Sequence, residues 1–284
     1  MQNKKITIVT ATYNAVDTLE QTILSVLNQT YDDIEYIIID GASTDGTVDI
    51  IKKYSDRLGY WCSEKDSGIY NAFNKGIRQA TGDYIQFLGA DDALYDQDTI
   101  SKVVEQLDDD VDVLSTCGYL VNEELKIERL LDNHDAATGQ TRTNGSMPPH
   151  PGMFVESSLM RKFMYDETFK IVADYNFFLT CYLKTDTRFK YIDLPTFYFS
   201  DGGTTGSANQ QADKENMQLW QKFGLEWCIA RENKLRSRKN NDSVIKKTKY
   251  WCLKKLGLLA AYKCRNKRWR KHRCHNELCR WCIK

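Results

Sequence analysis

Ile6-Thr7-Ile8-Val9-Thr10-Ala11-Thr12-Tyr13-Asn14 begins with five consecutive β-branched residues and then turns polar. A β-branched run without polar alternation is the pattern of a strand buried on both faces, where branched Cβ atoms lose little rotamer freedom. Immediately after it, Asp17 reads as a helix N-cap with Glu20 at the capping-box position. Leu19, Ile23, Val26 and Leu27 then recur at helical spacing and give that helix one apolar face. Tyr36-Ile37-Ile38-Ile39 is a second buried strand, ended by Asp40-Gly41. Past the turn pair Asp45-Gly46, Val48, Ile51 and Tyr54 continue as a helix, and Asp66 or Ser67 caps the next one. On that helix Ile69, Ala72, Phe73, Ile77 and Ala80 share a face. Gly82 ends it, and Tyr84-Ile85-Gln86-Phe87-Leu88 forms another strand running into Gly89-Ala90-Asp91-Asp92.

Strand, helix and strand in alternation, joined by short connections, predict an α/β fold of right-handed βαβ units: a Rossmann-like, mostly parallel sheet with helices on both faces. In such sheets ligands bind outside the carboxyl ends of the strands. Thr12-Tyr13-Asn14, Asp40 to Ser43 and Asp91-Asp92 all fall at those ends, so three strands deliver polar groups to one edge. Residues 93–200 are less regular. They carry a helix around Ile100 to Leu107 and a strand around Val111 to Thr116. A loop-like stretch from Asn133 to Pro151 follows, then an aromatic segment that turns helical after Ala173.

The 284 residues are 42% hydrophobic, enough for one large domain or one domain with an appendage. A formal net charge of zero hides a split. From Arg231 to Lys284 there are 19 Lys and Arg against three acidic residues, a net +16, which leaves −16 for residues 1–230. We divide the chain accordingly into a domain over 1–210 and a basic helical extension over 211–284. Nine cysteines, an odd number at irregular spacing, argue for a reducing compartment and against a disulfide scaffold. No signal peptide is visible, and Leu256 to Tyr262 is too short to span a bilayer. These features predict a cytoplasmic protein that can sit peripherally on the cytoplasmic face of the inner membrane.

Asp91-Asp92 follows a hydrophobic strand, and carboxylates placed there can hold Mg²⁺ or Mn²⁺ against a diphosphate; the same pair also suits a solvated turn. Asp40, at the end of the second strand, can accept hydrogen bonds from a base or ribose, or simply precede the turn at Gly41. No G-x-G-x-x-G follows the first strand and no G-x-x-x-x-G-K-[ST] occurs, which weighs against dinucleotide enzymes and P-loop proteins.

Four segments carry a resemblance. They are Ile8 to Asn14, Asp40-Gly41-Ala42-Ser43-Thr44-Asp45-Gly46-Thr47, Asp66-Ser67-Gly68-Ile69-Tyr70-Asn71-Ala72-Phe73-Asn74-Lys75-Gly76, and Gly82-Asp83-Tyr84 through Asp92. In this order they resemble family-2 glycosyltransferases over residues 4–210, most closely the subgroup that includes bacterial colanic-acid glycosyltransferases. The resemblance implies a GT-A fold, a nucleotide-diphospho-sugar donor (a UDP-sugar), Mn²⁺ or Mg²⁺ as cofactor, and inversion at the anomeric carbon. It also implies an acceptor that is lipid-linked or an oligosaccharide, in bacterial surface polysaccharide synthesis. Carried over by position, Thr12, Tyr13, Asn14 and Ser43 line the nucleotide pocket and Asp40 binds uracil or ribose. Asp66, Gly68 and Lys75 border the donor. Ala90-Asp91-Asp92 occupies the D-x-D site with its first acid missing; Asp92 is then the metal ligand and Asp91 lies nearer the ribose or sugar. Asp174 stands where the subgroup carries its acidic base, His150 resembles a histidine on the acceptor side, and Gly203 and Thr204 belong to a glycine-rich segment that closes over the diphosphate. A non-catalytic nucleotide- or glycan-binding protein on the same fold is the competing reading, since the D-x-D site is degenerate.

Beyond Arg231, basic residues interleave with Trp251, Leu253, Leu256, Leu258, Leu259, Tyr262 and Trp269. That composition suits a helix lying on an anionic membrane better than a nucleic-acid surface, with a solvated appendage as the plain alternative. Cys264, Cys274, Cys279 and Cys282, with His272 and His275, contain a single C-x-x-C and no second knuckle, so we expect reduced thiols over a structural zinc.

Overall fold

The computed structural model describes residues 3–122, 124, 126–141, 145–201, 209–234, 263, 269–272, 279 and 281. The opening run forms β1 (Ile6–Thr12), followed by α1 (Leu19–Leu27), β2 (Ile34–Asp40), α2 (Thr47–Lys53), β3 (Tyr60–Ser63), α3 (Ile69–Gln79) and β4 (Tyr84–Phe87). These four strands are parallel and lie in the order β4-β1-β2-β3. Their register places Thr12 opposite Asp40 and Asp40 opposite Ser63, so three strands end at one level. β4 reaches only the level of Val9, and its continuation through residues 88–92 then spans the same edge.

Alternation along each strand sorts the core into two layers, because successive side chains point to opposite faces. Ile6, Ile8, Tyr36, Ile38 and Tyr84 pack with Leu19, Ile23 and Val26 of α1 and Ile51 of α2. Val9, Ile37, Ile39, Ile85 and Phe87 pack on the other face with Ala72, Phe73 and Ile77 of α3. Helices therefore cover both faces, as the unbroken apolar runs require. Gly76 lets α3 approach closely, since a Cβ there would lie 2.4 Å from Val9 Cγ1.

The rest of the chain extends this sheet with mixed pairing. β5 (Ala93–Leu94), α4 (Thr99–Val104), β6 (Val113–Asn122), β7 (Ile127–Leu131) and α5 (His134–Ala137) come first. Then follow β8 (Met153–Glu156), α6 (Ser157–Phe163), α7 (Ala173–Lys184), β9 (Phe189–Ser200), α8 (Asn209–Lys222) and β10 (Arg270–Lys271). β8 lies antiparallel between β4 and β6, β9 runs parallel to β6 and antiparallel to β5, and β7 and β10 complete the edge.

Local details differ from the sequence reading. α1 starts at Leu19 after Thr18, with no side-chain cap; Asp17 does not cap it, and the amides of Thr18 and Leu19 are met by the carbonyl of Ala15. Glu20 forms no capping box. It instead ties α1 to α2 by accepting from Lys53 Nζ at 2.6 Å and Tyr54 Oη at 2.7 Å. α3 begins after Gly68 without a cap from Asp66 or Ser67. Beyond residue 210, Leu219 of α8, Leu225 and Cys228 are buried in the same core as α3 and the sheet. The helical stretch up to residue 234 thus shares the core of the first 200 residues. Most of the basic tail lies outside the described residues, as do Gly203 and Thr204. No helix among the described residues is long and apolar enough to cross a membrane.

Candidate active site

Two clefts open along the carboxyl edge of the sheet. The first, about 890 Å³, lies over the ends of β1 and β2 and is lined by Thr12, Tyr13, Asn14, Gly41, Ala42, Asp66 and Gly68. The second, about 540 Å³, lies beside it and is lined by Tyr70, Asp92, Pro149, His150, Ile171 and Asp174. Both share Ile69, Gly89, Asp91 and Lys170. These residues form a seam that carries one carboxylate and one ammonium.

The first cleft is shaped by a network rooted in Asp40. That side chain is fully buried beneath the cleft; its carboxylate accepts from Ser43 N at 2.9 Å, Ser43 Oγ at 2.5 Å and Ser63 Oγ at 2.6 Å. Three local donors thus engage the Asp40 carboxylate, which holds the 40–46 loop in place. Ser43 Oγ also accepts from Asn14 N at 2.8 Å, while Asn14 Oδ1 accepts from Thr44 N at 2.9 Å. This lacing supports left-handed backbone at Asn14 (φ 49°) and Ala42 (φ 64°), a strain of about 1–3 kcal/mol for a residue such as alanine. Tyr13, 66% exposed, stands at the rim, where an aromatic face is free for a planar base. Thr12 is 5% exposed, yet its hydroxyl has no hydrogen-bond partner among the described residues. A buried hydroxyl left unpaired is costly, so a polar ligand atom placed beside it at the cleft floor would be favoured.

Asp66 reaches the same cleft, held at 2.5 Å by Lys75 Nζ. Lys75 also pairs with Glu64 at 2.7 Å, which leaves it behind Asp66 as seen from the cleft. Gly68 at φ 141° occupies backbone space that other residues rarely adopt, and it opens α3 at the cleft wall.

The two acids beyond β4 stand in different settings. Asp92 is 3% exposed; Oδ2 accepts from Gly89 N at 3.1 Å and Oδ1 from Ser200 N at 3.0 Å, which locks the turn to the end of β9. Asp91 lies at the seam of both clefts. Both acids thus border the second cleft, and Asp91 borders the first as well. No group of three His, Cys, Asp or Glu side chains is assembled for a metal among the described residues. Mg²⁺ and Mn²⁺ nonetheless fit a seam of this kind, since Mg²⁺ is held through one or two carboxylates together with substrate phosphates and waters.

In the second cleft, Asp174 sits in the first turn of α7, where a carboxylate is favoured by the helix dipole. Its Oδ1 accepts from Tyr70 Oη at 2.9 Å and Tyr175 N at 2.8 Å. Among the described residues no protein donor binds Oδ2. Burial, then the charge of Asp174, pushes the Tyr70 phenol far above its ordinary value, so it remains a donor. His150 lies at this cleft's wall, but its ring stacks on Phe87 and its Nε2 lies 2.8 Å from Tyr165 Oη. Burial holds its pKa down against the opposing influence of Asp174.

Several residues of this site carry no local signal in sequence. Lys170 is exposed at the seam; its Nζ contacts only the carbonyls of Glu167 at 3.1 Å and Ser67 at 3.5 Å, with no acidic partner among the described residues. Glu215 of α8 accepts from the backbone amides of Lys170, Ile171 and Val172 at 3.0, 2.9 and 3.2 Å. Asn74 exchanges two bonds with the backbone of Tyr165, both at 2.9 Å, and with Asn71 grips Glu167. The 165–172 segment, which leads to Asp174, is thereby pinned from two sides. Two asparagines on an otherwise apolar helix face were the one available hint.

Residues 7–169 match the family described as Glycosyl transferase family 2. An uncharacterised glycosyltransferase of Mycobacterium tuberculosis is 32% identical over 176 residues, covering 61% of this chain and 67% of that protein. A PGL/p-HBAD biosynthesis glycosyltransferase of Mycobacterium bovis is 28% identical over 221 residues, covering 73% and 80%. Among solved structures, S. aureus TarS 1–349 in complex with UDP-GlcNAc superposes with a TM-score of 0.58 at 21% identity over 72% of this chain. The chain spans 61% of TarS 1–349 and 36% of a longer TarS chain. The mannosyltransferase PcManGT from Pyrobaculum calidifontis, in complex with GDP-Man and Mn²⁺, superposes with a TM-score of 0.59 at 16% identity over 94% of this chain and 84% of its own. These likenesses show the GT-A α/β fold.

Proposed function

The chain belongs to glycosyl transferase family 2, and from that premise we propose that it transfers one sugar, with inversion, from a UDP-sugar to an acceptor hydroxyl. The observation that carries this reading is the seam: a nucleotide-sized cleft and an acceptor-sized cleft meet at Asp91 and Lys170, with Asp174 in the second. The nucleoside occupies the first cleft, with Tyr13 against the base and the Thr12 hydroxyl bonded to a polar atom of the nucleotide. The diphosphate lies at the seam, where the Lys170 ammonium attracts it. Asp91 is the residue that would hold Mn²⁺ or Mg²⁺, which when bound neutralises charge growing on the departing diphosphate. The acceptor hydroxyl in the second cleft gives its proton to Asp174 Oδ2 as its oxygen bonds to the anomeric carbon, on the face opposite the leaving UDP. Tyr70, donating to Oδ1, keeps the carboxylate oriented. An ordinary carboxylate is a weak base, so proximity and orientation supply much of the acceleration.

The resemblance to the colanic-acid subgroup supports a lipid-linked or oligosaccharide acceptor in surface polysaccharide synthesis. The basic tail supports a peripheral place on an anionic cytoplasmic membrane face.

The test is release of UDP from a panel of UDP-sugars, coupled to titration of UDP with and without Mn²⁺. Asp91→Asn should remove the metal-dependent gain in UDP affinity, and Asp174→Asn should bind UDP normally and transfer nothing. No hydrolysis of any nucleotide sugar, with normal UDP binding, would instead favour the non-catalytic binding reading.

A further inference from the structure

The second cleft reaches beyond the residues that the reaction uses. Its outer wall is β7, where Arg129, Leu130, Leu131 and Asp132 line it, joined by Met147 from the stretch before β8. In the sheet order β7-β6-β8-β4, this wall stands three strand spacings from β4, about 14 Å. A single sugar ring does not fill that span. An acceptor hydroxyl at Asp174 therefore leaves the outer part of the cleft to whatever the reacting sugar is attached to.

That wall is apolar with one cation set in it. Leu130 is 46% exposed, and Leu131 and Met147 are half-buried. Each hydroxyl of a further sugar brings a donor and an acceptor, and a wall built for several would answer with polar side chains. This one has two, and the Asp132 carboxylate is engaged by His134 N at 3.2 Å. Arg129 has no acidic partner among the described residues; its guanidinium lies 5.6 Å from the centroid of the Trp269 ring. A guanidinium on an aromatic face keeps its edge N–H groups free, and these fit phosphate oxygens in pairs. Lys263 Nζ, 4.7 Å from the same ring, adds a second positive charge. Trp269 is held there by β10, which it precedes. Arg270 Nε donates at 2.6 Å to Glu128, 1% exposed on β7, whose other oxygen lies 2.5 Å from His272 Nδ1. His272 N bonds to Lys126 O at 2.9 Å, and His272 Nε2 lies 3.3 Å from Cys279 Sγ.

Resting on the reading of this cleft as the acceptor side, we propose that its outer half is a subsite for a phosphate that carries an apolar chain. Arg129 grips the phosphate, and Leu130, Leu131 and Met147 take the first carbons of the chain. The acceptor class is then a sugar joined through phosphate to a lipid, and not a free oligosaccharide. Charge complementarity selects this occupant: an unpaired guanidinium in an apolar wall calls for an anion flanked by hydrocarbon. The phosphate ester stays intact throughout, since the transfer occurs at the sugar hydroxyl beside Asp174. Trp269 is a positioning residue for Arg129, which gives the C-terminal segment a part in acceptor choice.

The probe is n-decyl phosphate, below its micellar concentration, titrated calorimetrically into the full chain already saturated with UDP and Mn²⁺ so that the seam is filled. The wild type should bind it far more tightly than inorganic phosphate or decanol. Arg129→Gln should weaken binding about tenfold or more, as loss of a charge-assisted contact does, and Arg129→Lys should recover part of it. Leu130→Ser should weaken it several-fold. In transfer assays, sugars on decyl phosphate should be preferred over the same sugars as decyl glycosides through KM, with kcat little changed, and Arg129→Gln should remove that preference. Equal binding by wild type and Arg129→Gln, or equal affinity of the wild type for decyl phosphate and decanol, overturns the subsite. The second comparison needs no variant, so it decides the matter even if Arg129→Gln fails to fold. Release of UDP from a nucleotide sugar without decyl phosphate binding sinks the subsite and leaves the transfer reading standing. Decyl phosphate binding lost in Arg129→Gln, with no such release by the wild type, keeps the subsite and removes the transfer reading.

Discussion

Replacing Glu215 by alanine tests how the base-bearing segment is held. Glu215 is 2% exposed on α8 and accepts from the amides of Lys170, Ile171 and Val172 and from Gln211 Nε2 at 2.6 Å. Burial acts to raise its pKa, but these bonds, led by that from Gln211, overcome burial and hold it below the usual glutamate value. In Glu215→Ala the Lys170 amide, on an exposed residue, finds water, while those of Ile171 and Val172 lose a buried acceptor. At about 1–3 kcal/mol for each unsatisfied donor, the loss is about 3 kcal/mol. For a domain of this size that lowers Tm by roughly 6–12 °C. Because the segment carries Lys170 and leads to Asp174, kcat/KM should fall even at temperatures where the variant is fully folded. UDP affinity, set mainly in the first cleft, should fall less. Glu215→Gln keeps one carbonyl acceptor and should recover about half of the loss. The lowered pKa also sets a sign: the stabilisation is present above the unfolded carboxylate pKa, about 4.3, and is lost as pH falls through the folded value. Urea unfolding followed by tryptophan fluorescence, with initial rates on the same preparations, measures both effects. A change under about 0.5 kcal/mol with unchanged kcat/KM would refute the claim that Glu215 positions this segment.

Thr12→Val keeps the side-chain shape and removes the orphan hydroxyl, so the ligand-free protein should be as stable or up to about 1 kcal/mol more stable, while UDP binding weakens several-fold, about 1 kcal/mol; a destabilised variant with unchanged UDP affinity contradicts the assignment. His150, whose pKa is held down by burial, must gain a proton when the chain unfolds below its unfolded value of about 6.5. Its stabilising contribution is therefore complete above that pH and is lost as pH falls toward the folded value. His150→Gln should flatten that part of the pH–stability curve measured by urea midpoints, and a parallel curve counts against a buried neutral imidazole. Gly68→Ala meets no clash but must adopt φ 141°, a cost of about 1–3 kcal/mol readable by thermal unfolding, and a neutral result means the loop relaxes freely.

The parallel half of the sheet and the edge where the polar groups gather were determined by the sequence itself. Ile6 to Thr10 and Tyr36 to Ile39 are apolar on both faces, and only a strand covered on both sides buries them; the resemblance then pointed to Asp174, Asp66 and Gly68 at that edge. β3 escaped notice because Tyr60–Ser63 is an edge strand of half-exposed residues with no apolar run to mark it. Tertiary structure alone decided how each acid is held. Asp91 and Asp92 are neighbours in sequence, and Asp92 turns inward because the amide of Ser200, 108 residues away, awaits it there. Asp40 is likewise enclosed by Ser43 and Ser63, while Lys170, Glu215, Asn74 and the His272–Cys279 contact depend on elements distant along the chain. Periodicity records how much of a segment is covered, since burial acts on every residue in turn. The partner that claims a particular carboxylate or ring nitrogen comes from elsewhere in the chain, and folding alone brings it into place.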